Sequence, residues 1–307
     1  MDKAKRVFSR YGFAQLAGIA AIVLIGLLIS VESVQKVILN TNKVVILLSM
    51  YLPNFCFMLV FWLIVRSIPK VEWNKEPMDF KRLFKIYAMM YLIATTLNFV
   101  GLGISSLTPA KGSSGEEAVG SIVMAGSGMG IVLTAVVGPI VEEMAFRKFM
   151  IDRLHNYGEK TVIIFSALCF GLYHHNLTQV LFATTVGIFL GYVYCKTGKV
   201  LYTIVMHCLL NGFNGIFLLL TSTGDSEAGM TALLVQGAFM AVLAIFGIVF
   251  LIRTLIKKDF VLDDSMPTAI PRQEVFKTVY LNLGVILLFA FNIYVMIRDL
   301  MGLTAFG

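Results

Sequence analysis

Charge is what this sequence is short of. Only 14% of its 307 residues are Asp, Glu, Lys or Arg, against 58% hydrophobic residues and a mean hydropathy of +0.84. Soluble domains carry about 25% charged residues, so a chain surrounded by water is excluded and a bilayer is implied. Cysteine is sparse too: Cys56, Cys169, Cys195 and Cys208 lie in or at the ends of apolar segments, with no C-x-x-C spacing. That excludes a zinc ribbon and a disulfide framework. There is no internal repeat of 20–50 residues and no low-complexity tract. The polar stretch 108–117 has glycines and serines without the Lys-Ser/Thr order of a phosphate loop. The net charge of +7 and the pI near 9.2 come from basic residues set between apolar runs, forming no continuous stripe. They read as membrane anchors, and nucleic acid is excluded as a partner.

What is present in abundance is apolar runs long enough to cross the hydrocarbon, which takes about 20 residues per helix. Nine occur, at 12–31, 44–65, 86–107, 122–147, 161–176, 178–195, 200–221, 230–252 and 278–297. The first lacks a small-residue cleavage site and reads as retained. The fifth and sixth meet near Asn176, and charge decides that they form a hairpin. With nine crossings and a cytoplasmic N-terminus, 21 of the 25 Lys and Arg residues fall inside, leaving Lys36, Lys43, Lys111 and Arg298 outside. The expected fold is therefore all-α, a polytopic transmembrane bundle of about nine spans. It divides into three spans over 1–120, a four-span core over 121–222 and two spans over 223–307. The segment Met78–Tyr87 suits either a short interfacial helix or a basic stop before the third span.

Ionisable groups inside spans are costly and call for a reason. Here they cluster: Glu142, Glu143 and Arg147 end the fourth span, His174 and His175 the fifth, and His207 and Asn211 lie in the seventh. Residues four apart share a helix face, so Glu143 can pair with Arg147, and His207 lies over Asn211. Glu142 and Glu143 diverge by about 100° and should hold different roles. If the chain turns near Tyr157-Gly158, Glu142 and His174 each stand 16 residues from Gly158, which puts them at one depth in an antiparallel pair. His175 fits no motif and reads as structural, His155 as an exposed turn residue. Glu116-Glu117 is a second acidic pair with no arginine after it.

Three of these segments resemble the motif set of the CPBP family, the CAAX-protease and bacteriocin-processing membrane proteins also called Abi. EExxxR is matched by Glu142-Glu143-Met144-Ala145-Phe146-Arg147, FxxxH by Phe170-Gly171-Leu172-Tyr173-His174, and HxxxN/D by His207-Cys208-Leu209-Leu210-Asn211. The resemblance covers the fourth to seventh spans. It implies an intramembrane endopeptidase in which Glu142 is the general base, His174 holds the same water, and His207 and Asn211 stabilise the oxyanion. Glu143 and Arg147 would support them, and Phe170 would pack the site. The implied partners are a membrane-associated peptide or protein substrate and the lipid bilayer, with a bacterial plasma membrane as the setting.

No cofactor is expected from this reading. Its metal alternative uses Glu142, His174 and His207 as zinc ligands with an open position for water, although the HExxH pattern of zinc proteases is absent. Outside hydrolysis, the same residues suit a non-catalytic scaffold or bacteriocin-immunity protein of this fold. A proton-coupled transporter would also use buried acids and histidines, but inverted repeats are missing.

Overall fold

The computed structural model describes residues 2–109, 128–221, 226–263, 266 and 269–303. The acidic pair Glu116-Glu117 and the start of the expected fourth span lie outside them. Among the described residues every regular element is helical. In chain order these are α1 (Asp2–Ser30), α2 (Glu32–Leu39), α3 (Lys43–Val65), α4 (Phe80–Ser106), α5 (the composite run 128–157), α6 (Glu159–Leu172), α7 (Leu177–Thr197), α8 (Val200–Thr221), α9 (Ser226–Lys257), α10 (the run 272–280) and α11 (Leu283–Leu300).

Each of the nine apolar runs carries a helix, and among the described residues seven helices are long and apolar enough to cross a membrane: α1, α3, α4, α7, α8, α9 and α11. The protein is an integral membrane helical bundle. The fifth run differs from expectation. Its helix has 14 residues, about 21 Å at 1.5 Å per residue, short of a hydrocarbon core about 30 Å thick. It stops at Leu172, so His174 stands in the turn between α6 and α7 rather than on a helix. Of the two readings of Met78–Tyr87, the structure takes the second. Asp79 caps α4 by accepting from the Arg82 N–H at 2.8 Å, and the helix runs from Phe80 into the span without a break.

α5 is not a uniform helix. Two π-helical segments, Leu133–Val137 and Met144–Phe149, bracket the α-helical piece Gly138–Glu143. Pro139 explains the first. It has no N–H, and its ring clashes with a carbonyl one turn back, which the wider π turn relieves. In that register the Gly138 N–H goes to the Leu133 carbonyl. The Thr134 carbonyl would then need the N–H of residue 139, which proline lacks. The second π segment frees further carbonyls, and side chains from other helices take them. Ser166 of α6 donates to the Phe146 carbonyl at 2.6 Å, and Tyr11 of α1 to that of Phe149 at 3.0 Å.

Close helix approaches hold this bundle together, as expected where lipid supplies no hydrophobic contrast. A Cβ on Gly187 of α7 would sit 2.8 Å from the Ala167 Cα of α6, and one on Gly12 of α1 would lie 2.3 Å from the Gly284 backbone of α11. α1 packs on α3 and α11, and Gln15 donates to the Cys169 carbonyl of α6 at 2.7 Å. Around it Phe8, Tyr11, Phe57, Phe61, Phe146, Phe165 and Phe170 form a closed aromatic core.

On the face opposite the α6–α7 turn, the segment 66–79 crosses the ends of α5, α6 and α7. Trp73 donates to the Cys195 carbonyl at 2.6 Å and stacks on His155 with ring centroids 4.3 Å apart. His155, expected to be exposed, is 1% exposed. The correction comes from Trp73, 82 positions earlier, which covers a ring that its polar turn alone would leave in water. His155 Nε2 faces Glu159 at 3.6 Å, and Glu159 also takes Lys196 Nζ at 2.6 Å and the Asp263 N–H at 2.7 Å. Burial alone would raise the Glu159 carboxyl, but these donors outweigh it and hold it below the usual carboxylate range.

Candidate active site

The hairpin geometry that brings the site together is set at Gly158. Its φ of 103° is a conformation that suits glycine, and it turns α5 back into α6. Phe146 and Phe170, each 12 residues from that turn, meet with ring centroids 5.4 Å apart. One helical turn further along each arm stand Glu142 and His174. The Glu142 charge reaches Tyr173, the residue before His174, and Tyr51 of α3.

Glu143 and Arg147 form the expected ion pair, Oε2 to Nε at 3.1 Å, both side chains 0% exposed. The same carboxylate reaches a second partner that helix spacing alone did not reveal. Its Oε1 lies 3.0 Å from His207 Nδ1 of α8. Since a carboxylate only accepts, Nδ1 carries the proton. The buried Thr203 hydroxyl, one turn before His207, donates to the Val200 carbonyl at 2.9 Å. Glu143 thus joins α5 to α8 and turns the His207 ring so that Nε2 faces Glu142, 3.6 Å from Oε2. That separation is beyond a direct hydrogen bond.

The two adjacent glutamates consequently differ as their angular separation requires. Glu143 is fully engaged. Glu142 is 17% exposed at its side chain and accepts no hydrogen bond from the described residues.

Phe170 sits between the functional groups. The Arg147 guanidinium lies over its ring at 4.7 Å, and His174 and His207 meet it edge-on at 5.2 and 5.7 Å. A cation over an aromatic face is attracted by the ring quadrupole, which partly offsets the burial of Arg147. Asn211 is committed elsewhere. Its Nδ2 donates at 3.3 Å to the Thr134 carbonyl, the acceptor that Pro139 leaves without a backbone donor. One of its two amide protons is used there, and the second is free for other chemistry.

Sequence reasoning missed two residues near Glu142 that were given no role, Tyr51 and Tyr173. Tyr173 donates to Asn54 Oδ1 of α3 at 2.8 Å, and Tyr51 lies one turn before Asn54 on the same helix. Polar Tyr51 and Asn54 inside the apolar run 44–65 were the available signal. His175 adopts φ of 59°, rare for a residue with a side chain. This bend sends His175 toward Phe291 of α11, ring centroids 6.1 Å apart, while its neighbour His174 packs against Phe170. As for metal, no group of three His, Cys, Asp or Glu side chains converges among the described residues. His207 spends Nδ1 on Glu143, which leaves Nε2, the nitrogen that faces Glu142, as its one available ligand atom.

Fold and site together define a class, helical integral membrane proteins that bury a glutamate–histidine cluster between the arms of a hairpin and a third helix. Residues 125–213, which contain all three motifs, match the family described as type II CAAX prenyl endopeptidase Rce1-like. Over 168 residues the chain is 27% identical to a Bacillus subtilis (strain 168) protein named "Putative membrane peptidase YdiL", an alignment that covers 51% of this chain and 65% of that one. Both matches support the resemblance of this segment to the CPBP family that its motifs carry. No solved structure matches.

Proposed function

We propose that the protein is an intramembrane endopeptidase of the bacterial plasma membrane, with its N-terminus in the cytoplasm. Its substrates are membrane-associated proteins or peptides. One observation carries this reading: of two adjacent carboxylates, the buried Glu143 is spent on Arg147 and His207 while Glu142 is left open toward His207 Nε2. That is the division of labour hydrolysis needs, one acid to orient a histidine and one to move protons. The match to a peptidase family and the peptidase name of the bacterial relative support the choice of reaction.

In this reading a water held by Glu142 and His174 gives its proton to Glu142 and attacks the peptide carbonyl carbon. The developing oxyanion is met by His207 Nε2–H, when that ring is protonated, and by the free amide proton of Asn211. Collapse of the tetrahedral intermediate breaks the C–N bond, and Glu142 returns the proton to the leaving amine. Glu143 holds His207 in the required orientation by its Nδ1 contact.

The test uses purified full-length protein and a membrane-anchored peptide substrate found by comparing membrane peptides from wild-type and Glu142→Ala strains. Glu142→Gln and His174→Ala should each lower cleavage by at least about a hundredfold, in the range expected for loss of general base catalysis. Membrane insertion and thermal unfolding should stay near wild type. Parallel loss of folded protein and of cleavage would make both residues structural and overturn the proposal.

A further inference from the structure

Away from the hairpin site, a cavity of about 720 Å³ opens between the first turns of α4 and the end of α9. Its walls are aromatic. Phe84 meets Phe250 edge-on at 6.1 Å, and Phe260 stacks on Tyr192 at 4.1 Å. Its rim is charged, with Lys81, Arg82 and Lys85 of α4 facing Asp79 and Asp259. Both acids are already engaged: Asp79 caps α4 through the Arg82 N–H, and Asp259 takes Lys85 Nζ at 2.7 Å. Arg82 spends one Nη2 proton on the Tyr192 hydroxyl at 3.1 Å, which leaves most of its five donors for a ligand. Lys81 is exposed. The local field is positive, since the Lys85 hydrogen bond first, then Lys257 and Arg82, hold the Asp259 carboxyl below its ordinary range.

The cavity lies where two membrane-spanning helices meet polar loops, which is the level of lipid headgroups. Phe80 on its wall is left uncovered at 80% exposure, as a lipid-facing wall allows. A small soluble anion would use the cations and leave the aromatic walls idle. A neutral lipid would use the walls and leave the cations idle. A ligand with a negative headgroup and acyl chains uses both, the pairing that basic pockets at the ends of membrane helices offer.

We propose that this cavity binds an anionic phospholipid, its phosphate against Lys81 and Arg82 and an acyl chain along Phe84 and Phe250. The site is separate from the glutamate–histidine cluster and does not rest on the proposed activity. Native mass spectrometry of the full chain, given equal amounts of phosphatidylglycerol and phosphatidylcholine, tests it. Wild type should retain phosphatidylglycerol in preference. Lys81→Gln/Arg82→Gln should lower that retention roughly ten- to thirtyfold, as expected for two basic groups near an anionic headgroup.

Phe84→Ala should weaken retention of both lipids, and Lys3→Gln/Lys5→Gln should change neither. Inorganic phosphate should not displace the lipid. Should the double variant fail to fold, Lys81→Gln alone, at an exposed side chain, should still show a roughly fivefold loss. Equal retention of the two lipids by wild type, retention unchanged in the rim variants, or displacement by phosphate would each overturn the proposal.

Discussion

Glu143 offers the sharpest separation of structural from chemical roles, because it holds two buried groups at once. Glu143→Gln keeps the shape of the side chain and removes its charge. The Arg147 guanidinium, 0% exposed, would then have no anion at 3.1 Å. Its contact with Phe170 offsets only part of that loss. Breaking one side of a buried ion pair costs about 3–5 kcal/mol, a factor of at least a hundred in the ratio of folded to unfolded protein. Replacing both partners with apolar groups of similar volume is often neutral, because no charge is left uncompensated. Glu143→Leu/Arg147→Met should therefore unfold near wild type in a thermal melt in detergent, while Glu143→Gln unfolds well below it. Cleavage should stay lost in the double variant, since His207 Nδ1 has lost its acceptor and the ring is no longer fixed. A Glu143→Gln protein as stable as wild type would show that the pair does not carry the buried charge. A double variant that cleaves at the wild-type rate would show that Glu143 does not orient His207.

Three further outcomes are expected. Gly284→Ala places a methyl group 1.9 Å from the Ser9 carbonyl oxygen, so α1 and α11 must separate. A clear fall in melting temperature and loss of cross-linking between cysteines placed on the two helices would report this, and an unchanged melt would refute it. The Glu159 cluster predicts acid sensitivity. A carboxyl held below its unfolded value contributes stability in full above about pH 4.3 and loses it as pH falls through the lower folded value. Hydrogen exchange at Asp263 should quicken over that acid range in wild type, and the acid step should be missing in Glu159→Gln. Treatment with a chelator, with metal content measured alongside, should leave cleavage unchanged; loss followed by recovery on adding zinc would replace the glutamate reading with a metal one.

The membrane fold was legible because its cause is local: apolar runs of spanning length become helices wherever they sit, and scarce charge marks their ends. The Glu143–Arg147 pair was legible for the same reason, since four residues of separation is a property of one helix. So was the hairpin, whose equal arms about Gly158 bring Phe146 and Phe170 together. What could not be read depends on contacts across the chain. Trp73 buries His155, Asn54 meets Tyr173, and Glu143 meets His207, with no spacing rule connecting the members of any of these pairs.

Asn211 shows where the boundary falls. Placed four residues after His207, it reads as a partner on the same face and hence as an oxyanion donor. The structure spends part of it on the Thr134 carbonyl, for a reason present in the sequence all along: Pro139 inside a helical run must strand an acceptor within a turn or so before it. Pro139 thus makes an orphan acceptor legible, but not the residue that satisfies it, because Asn211 comes to Thr134 only through the packing of α8 on the π segment. The same contact ties the end of the third motif to the helix of the first. A substitution at Pro139 that restores the N–H would therefore be felt at Asn211, on a helix it does not belong to.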